Sequence, residues 1–319
     1  MSEVKFRGVI PAVITVFNED GSFDWEGNKR LLDHLIKAGV HGLFILGSSG
    51  EFMHMSTTER KKFAEFVVEY VNKRVPVTVG TGSSSTAEVI ELTMHAQEIG
   101  ADAVGIITPY YWILSEEALY NHYASVAQAV DIPIIIYHYP SLTGQNLSAS
   151  LVARLALDFP NILGIKDTID NVAHLRELVL TVKSVKPEFA VLAGYEDHIL
   201  NTLALGGDGI ITAITNFAPE LTVGLYNSFV AGDLDKSISL YQKIRVLNRI
   251  YDVDKPSIAA IKEACRLTGL DIQTYVRKPA VNASREVQRV VLQLLQEAGL
   301  ECNLTNCSVA KDDIRVVAP

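Results

Sequence analysis

The chain has 319 residues, 48% of them hydrophobic and 20% charged, with a net charge of −9. That composition is globular and long enough for a large core, in one large domain or two smaller ones. The acidic balance, with no basic stripe, argues against nucleic acid or an anionic membrane as partner.

Taken in chain order, short β-rich runs alternate with amphipathic stretches. The runs are Val9–Val16, Gly42–Leu46, Val77–Gly80, Ala103–Ile107, Ile134–Tyr137, Ile162–Lys166, Ala190–Ala193 and Gly209–Ile211. Between them, Thr57 to Val71 carries Phe63, Phe66, Val67 and Tyr70 on one helical face, and Thr86 to Ile99 carries Val89, Leu92, Ala96 and Ile99. Gly39, Gly100 and Gly206 follow helices where a left-handed residue is wanted. Eight alternating units predict a parallel sheet closed into a (β/α)8 TIM barrel, an α/β fold. A doubly wound sheet is the rival, but no GxGxxG follows the first strand.

After the eighth strand the alternation stops. Pro219 to Val230, Leu234 to Tyr251, Lys255 to Leu267 and Ala283 to Ala298 all read as helices with no strand between. The expected organisation is a barrel over residues 1–230, a C-terminal helical domain over 231–300 and a tail over 301–319. The tail's role is open, and a short strand at Ile314–Val317 is one option.

Cys265, Cys302 and Cys307 are too few and too scattered for a zinc site or a disulfide framework. The first residues carry charges without an apolar signal region, and no apolar run reaches membrane-spanning length. A reduced cytoplasmic protein is the expectation.

In a (β/α)8 barrel chemistry sits at the C-terminal ends of the strands. Strand 6 ends in Gly164-Ile165-Lys166-Asp167-Thr168, and a lysine closing a buried strand is a candidate amine nucleophile. Burial favours its neutral form, which attacks a carbonyl to give an imine. Strand 2 ends in Gly47-Ser48-Ser49-Gly50-Glu51, a turn whose amides and hydroxyls suit a carboxylate or phosphate. Strand 5 ends in Tyr137-His138-Tyr139-Pro140, where a phenol could pass protons. Nothing in the sequence orients His138, so local packing or hydrogen bonding is its expected role rather than general base catalysis. Tyr110 and Trp112, beside Tyr111, are expected to pack in an interface or the core. Ile211 on strand 8 could wall an apolar part of a ligand. His41, His54, His174 and His198 do not sit at metal-ligand spacing with each other or with carboxylates, so no metal site is expected.

Gly47-Ser48-Ser49-Gly50-Glu51, Tyr137 with Pro140, and Gly164-Ile165-Lys166, in this order over about residues 5 to 300, resemble the dihydrodipicolinate synthase/N-acetylneuraminate lyase family of class I pyruvate aldolases. The resemblance implies a barrel with a C-terminal helical domain, assembled as a homotetramer. It implies that Lys166 forms a Schiff base with pyruvate or another 2-keto acid, with no other cofactor. Tyr137 would relay the proton, and Ser48 would link it to Tyr111, which reaches in from a neighbouring subunit. The turn at Gly47, Ser48 and Ser49 would hold the carboxylate. Thr168, Gly194, Glu196 and Asp197 fall where related lyases contact the polyhydroxylated part of a substrate.

One departure bears on the substrate. Dihydrodipicolinate synthases carry Ser-Arg-Thr-Gly after the tyrosine strand, whereas this chain has Ser141-Leu142-Thr143-Gly144. Leu142 cannot make the charge-assisted pair with the carboxylate of aspartate semialdehyde. Pro109-Tyr110-Tyr111-Trp112 and the run from Gly164 to Arg176 are most similar to the 2-keto-3-deoxygluconate aldolase branch. The expectation is therefore cleavage of a 2-keto-3-deoxy sugar acid to pyruvate and an aldehyde. The alternatives are a dihydrodipicolinate synthase, a deoxy-keto sugar acid dehydratase, or a non-catalytic barrel that binds a keto acid.

Overall fold

The computed structural model describes residues 6–303. The expected tail beyond Asn303, including Ile314–Val317 and Cys307, lies outside the described residues. Eight strands form one sheet: β1 (Gly8–Pro11), β2 (Leu43–Ile45), β3 (Val77–Gly80), β4 (Ala103–Ile107), β5 (Ile134–His138), β6 (Ile162–Asp167), β7 (Ala190–Ala193) and β8 (Gly209–Thr212). Their order is β1-β8-β7-β6-β5-β4-β3-β2, with every paired neighbour parallel. Between β1 and β2 the ring is joined by the parallel bridge Ala12↔Phe44, where the Val13 amide donates to the Phe44 carbonyl over 2.8 Å. The fold is a (β/α)8 TIM barrel.

The helices are α1 (Trp25–Lys37), α2 (Thr57–Val71), α3 (Thr86–Glu98), α4 (Glu116–Ala129), the single turn α5 (Pro140–Thr143), α6 (Ala149–Asp158), α7 (Val172–Val185), α8 (Ile199–Ala204), α9 (Pro219–Val230), α10 (Leu234–Leu247), α11 (Ile258–Leu267) and α12 (Arg285–Glu297). Several starts follow from side-chain caps, most fully that of α2: the Ser56 hydroxyl accepts from the Glu59 amide, and the Glu59 side chain returns to the Ser56 amide. Gly39, Gly100 and Gly206 end helices at φ of 83°, 80° and 90°, as their positions require. Because helices cover the outside and side chains fill the inside, the strands are buried on both faces, which is why they read as unbroken apolar runs. Inside the barrel the Phe44 ring lies over Gly105, where a Cβ would collide with it.

Three boundaries differ from the expectation by three residues or more. The first strand stops at Pro11. After the backbone bonds of Ala12 and Val13, the chain finds side-chain partners instead of a ladder: the Ile14 amide donates to Asn216 Oδ1 and the Val16 amide to Asn28 Oδ1. The helix expected from Lys255 begins at Ile258, because a residue preceding proline, here Pro256, is pushed out of the helical region. The helix expected to reach Tyr251 ends at Leu247, and Asn248–Asp252 continues as a tighter 3-10 turn. Helices α10, α11 and α12 follow α9 with no strand between them.

Candidate active site

Strands β5 and β6 pair so that Tyr137 lies opposite Lys166 and His138 opposite Asp167. Successive strand residues face opposite sides, so Tyr137 and Lys166 point into the barrel while His138 and Asp167 point toward its helical shell. Lys166 is 3% exposed. Its Nζ lies 4.1 Å from the centre of the Tyr137 ring and 5.1 Å from that of Phe44. Burial lowers its ammonium to about pKa 7, against a smaller opposing pull from Glu196. A large neutral fraction is therefore present near neutral pH.

The Tyr137 hydroxyl is 3.3 Å from Ser48 Oγ. Burial raises the phenol above its ordinary value, and the hydroxyls of Ser48 and Thr168 pull partly the other way. Ser48 sits in a turn bounded by two non-glycine residues in left-handed conformation, Leu46 at φ 55° and Glu51 at φ 57°. Such residues each cost about 1–3 kcal/mol and gather at functional sites. The turn is held from several sides. Thr15 Oγ1 donates to the Gly50 carbonyl over 2.8 Å. The buried Glu51 carboxylate accepts from Lys262 Nζ at 2.5 Å and from the Arg277 amide at 2.9 Å. Lys262 is itself completely buried on α11, so a helix beyond the barrel braces the turn.

Ser48, Ser49, Tyr137, Lys166, Thr168, Gly194, Asp197 and Ile211 all line one cavity of about 820 Å³. Gly194 must be glycine, since a Cβ there would overlap the Thr168 hydroxyl. Gly47 is not on the cavity wall, and its missing Cβ leaves room for the Phe44 ring. Glu196 stands behind the wall: its carboxylate accepts from the Ile214 amide at 2.9 Å and from the Tyr251 hydroxyl at 2.9 and 3.0 Å. Burial raises its carboxyl. Tyr111 is 90% exposed at φ 83° and does not line this chain's own cavity. Tyr110 packs edge-on against Phe52, but Trp112 is 73% exposed and is not part of the core.

The structure adds residues that sequence reasoning missed. Tyr139 and Tyr195 line the cavity, as do Asn248, Tyr251, Asp252, Asp254 and Lys255 from the segment between α10 and α11. Tyr139 was adjacent to a recognised strand end. The C-terminal group gave no signal, because only the fold carries that segment back over the barrel mouth. No arginine lines the cavity among the described residues.

Histidines do meet carboxylates, contrary to the expectation from spacing. His138 Nδ1 is 2.6 Å and His174 Nδ1 2.9 Å from the two oxygens of Asp167. His198 Nε2 is 3.0 Å from Asp170, and His54 Nδ1 3.5 Å from Glu51. Apart from Glu51 and His54, which stand three residues apart, these pairings join different segments, so linear spacing could not show them. His138, Asp167 and His174 could in principle surround an ion. The hydrogen bonding speaks for protons instead: His138 Nε2 accepts from the Leu147 amide at 3.2 Å, which leaves its proton on the Nδ1 that faces Asp167. His138 is thus oriented, by Asp167, and it points away from the lysine cavity.

Residues 5–298 match the model of the dihydrodipicolinate synthetase family. The chain is 47% identical over 296 residues to YjhH of Escherichia coli K12, named as a 2-dehydro-3-deoxy-D-pentonate aldolase, spanning 93% of this chain and 98% of the relative. It is 46% identical over 295 residues to YagE of the same strain, named as a 2-dehydro-3-deoxy-D-gluconate aldolase, spanning 92% and 98%. Both names carry their substrate as provisional. The crystal structure of YagE in complex with pyruvate superposes with a TM-score of 0.91 at 46% identity, covering 92% of this chain and 99% of that one.

Proposed function

The chain belongs to the dihydrodipicolinate synthetase family and is a pyruvate-dependent lyase, and from that premise we propose that it cleaves a 2-keto-3-deoxy sugar acid through an imine on Lys166. The observation that carries this reading is the buried Lys166 amine, its ammonium lowered by burial to about pKa 7, beside the Tyr137 ring on the wall of a cavity large enough for a sugar acid.

The neutral amine of Lys166 attacks the C2 carbonyl, and loss of water gives the imine. Ser48 and Ser49 in the strained turn receive the substrate carboxylate next to C2. Removal of the C4 hydroxyl proton breaks the C3–C4 bond, and its electron pair flows into the protonated imine. The aldehyde leaves, C3 of the enamine takes a proton, and hydrolysis frees pyruvate and the amine. Tyr137, whose phenol stays protonated at neutral pH, carries protons for these steps through its contact with Ser48. Thr168, Gly194 and Asp197 face the hydroxylated tail, and Ile211 the apolar part of the chain.

The cavity wall supports a neutral tail. It has no arginine among the described residues, and Leu142 stands exposed at the rim where an arginine would pair with a second carboxylate. YjhH and YagE, named for five- and six-carbon substrates, frame the choice of chain length. A homotetramer in which Tyr111 enters a neighbouring site is part of this reading, supported by the exposed run Tyr111–Trp112–Ile113.

Borohydride reduction with pyruvate, read by peptide mass spectrometry, tests the chemistry, and a pyruvyl adduct on Lys166 is the expected result. Pyruvate release from 2-keto-3-deoxygluconate and its five-carbon counterpart tests the substrate. Turnover of aspartate semialdehyde with neither sugar acid cleaved would overturn the substrate assignment. Loss of water without pyruvate release would replace the aldolase by a dehydratase.

A further inference from the structure

Behind β5 and β6, on the side away from the lysine cavity, the backbone of one residue is gripped on both sides by two histidines. The Leu147 amide donates to His138 Nε2 at 3.2 Å, and the Leu147 carbonyl accepts from His174 Nε2 at 2.8 Å. The other nitrogen of each ring meets Asp167, at 2.6 Å for His138 and 2.9 Å for His174. A backbone amide only donates and a carbonyl only accepts, which fixes the protons. His138 is neutral, with its hydrogen on Nδ1 directed at Asp167. His174 donates from Nε2, so one further proton is shared between its Nδ1 and Asp167. Burial alone would lower His174, but Asp167 and the Leu147 carbonyl raise it overall. Burial alone would raise Asp167, but the two histidines bring it below its ordinary range. The shared proton therefore resides on His174.

We infer that His174, as an imidazolium held by Asp167, is a positioning residue that fixes the Leu147 peptide and through it the 139–148 segment over the lysine cavity. That segment carries Tyr139, Ser141 and Leu142 on the cavity wall. Asp167 is the residue after Lys166, so the same strand end holds the amine on its inner side and the loop on its outer side. The inference rests on the reading of the cavity as the site of the imine. The arrangement needs Asp167, because His174 lies in the first turn of α7, where the helix dipole disfavours a cation. The charged or titratable groups facing His174 are Asp167 and His138 from the strands and Glu116 of α4, across a second cavity of about 380 Å³. Glu116 Oε1 accepts from Ser148 Oγ at 2.7 Å, which ties the far end of the same segment.

Two measurements test this on the full chain. In protein labelled with [15N]histidine, ring-nitrogen spectra at pH 7.5 should show both His174 nitrogens protonated, where an ordinary histidine of pKa about 6.5 is mostly neutral. Asp167→Asn should return His174 to the neutral form at that pH. His174→Gln, which keeps a donor without the charge, should raise KM for the keto-deoxy acid about tenfold, the scale of one charged hydrogen bond. Its kcat and its borohydride-trapped pyruvate adduct should remain, and amides 144–148 should exchange faster. The wild-type KM should climb on the alkaline side as His174 loses its proton, and the Gln variant's should not. A neutral His174 at pH 7.5, or a His174→Gln enzyme with unchanged KM and pH profile, overturns the inference. Should that variant fail to fold, the ring-nitrogen spectra of the wild type still decide. A wild type with no adduct on Lys166 would instead sink the imine reading while leaving the charge of His174 directly measured.

Discussion

Lys166 and Tyr137 are register partners on adjacent strands, and the lysine amine sits 4.1 Å from the centre of the phenol ring. The strand ladder places an amine and a phenol side by side, on rigid elements rather than on loops, as the proposed imine chemistry requires. Lys166→Ala should lower kcat/KM by about 10³-fold or more, since a covalent route is lost rather than weakened. The folded variant should give no adduct with pyruvate and borohydride. Trapping on another lysine with activity retained would refute the assignment.

The pH profile follows from the burial of Lys166. Only the neutral amine attacks a carbonyl, so kcat/KM should rise with pH through a midpoint near pH 7. Stability moves the same way, because the folded lysine releases its proton near 7 while the unfolded one holds it to about 10.4. Between those values the unfolded state binds more protons, so stability grows with pH. Lys166→Met should therefore raise Tm at pH 7, with a gain that shrinks toward pH 10. Thermal unfolding at a series of pH values checks the sign.

Tyr137→Phe keeps the ring against Lys166 and removes only the hydroxyl. The expected loss in kcat is about 10²–10³-fold, the range for a displaced proton carrier. Stability should change by about 1 kcal/mol or less, because Ser48 gives up a single hydrogen bond. Ser48→Ala should cost less in kcat than Tyr137→Phe, measured on the same substrate.

The brace between Glu51 and Lys262 is buried on both sides. Lys262→Met leaves a carboxylate in the core without its partner, and about 3–5 kcal/mol of stability should go with it. Glu51→Gln with Lys262→Met together should recover much of that. A denaturant titration of both single variants and the double variant measures the coupling. The double variant should still show weakened carboxylate binding, read as a raised KM, since the turn at Ser48 loses its anchor.

Leu142→Arg tests the substrate side. Leu142 is exposed at the cavity rim, so an arginine can be accommodated without repacking. Turnover of aspartate semialdehyde should rise from its wild-type level by about tenfold, the value of one charge-assisted pair. Steady-state kinetics on both substrates checks it.

The barrel was legible because parallel strands buried on both faces leave continuous apolar runs, and capping residues and left-handed glycines mark the helices between. Lys166, Tyr137 and the Ser48 turn were legible because each stands where a strand ends. What stayed hidden were contacts between distant segments. His138 gave no sign of its partner, since Asp167 lies 29 residues on and meets it only through strand register. Lys262 read as one more helical lysine, although it reaches a carboxylate 211 residues earlier. Asp252 and Asp254 join the cavity because the chain returns over the mouth after α10, and no local pattern announces a return.

The join between β1 and β2 has the fewest register partners in the ring, a single parallel bridge between Ala12 and Phe44 with one further backbone bond from the His41 amide to the Val9 carbonyl, beside the five register partners shared by β5 and β6. In the strand order β1-β8-β7-β6-β5-β4-β3-β2 the β5/β6 pair lies diametrically opposite that join. Small fluctuations of a closed sheet concentrate where the fewest hydrogen bonds must open. The barrel can therefore flex like a split ring, giving at its gap. The Lys166 amine and the Tyr137 phenol, whose placement the proposed imine chemistry demands, stand at the point of the circumference that such flexing displaces least.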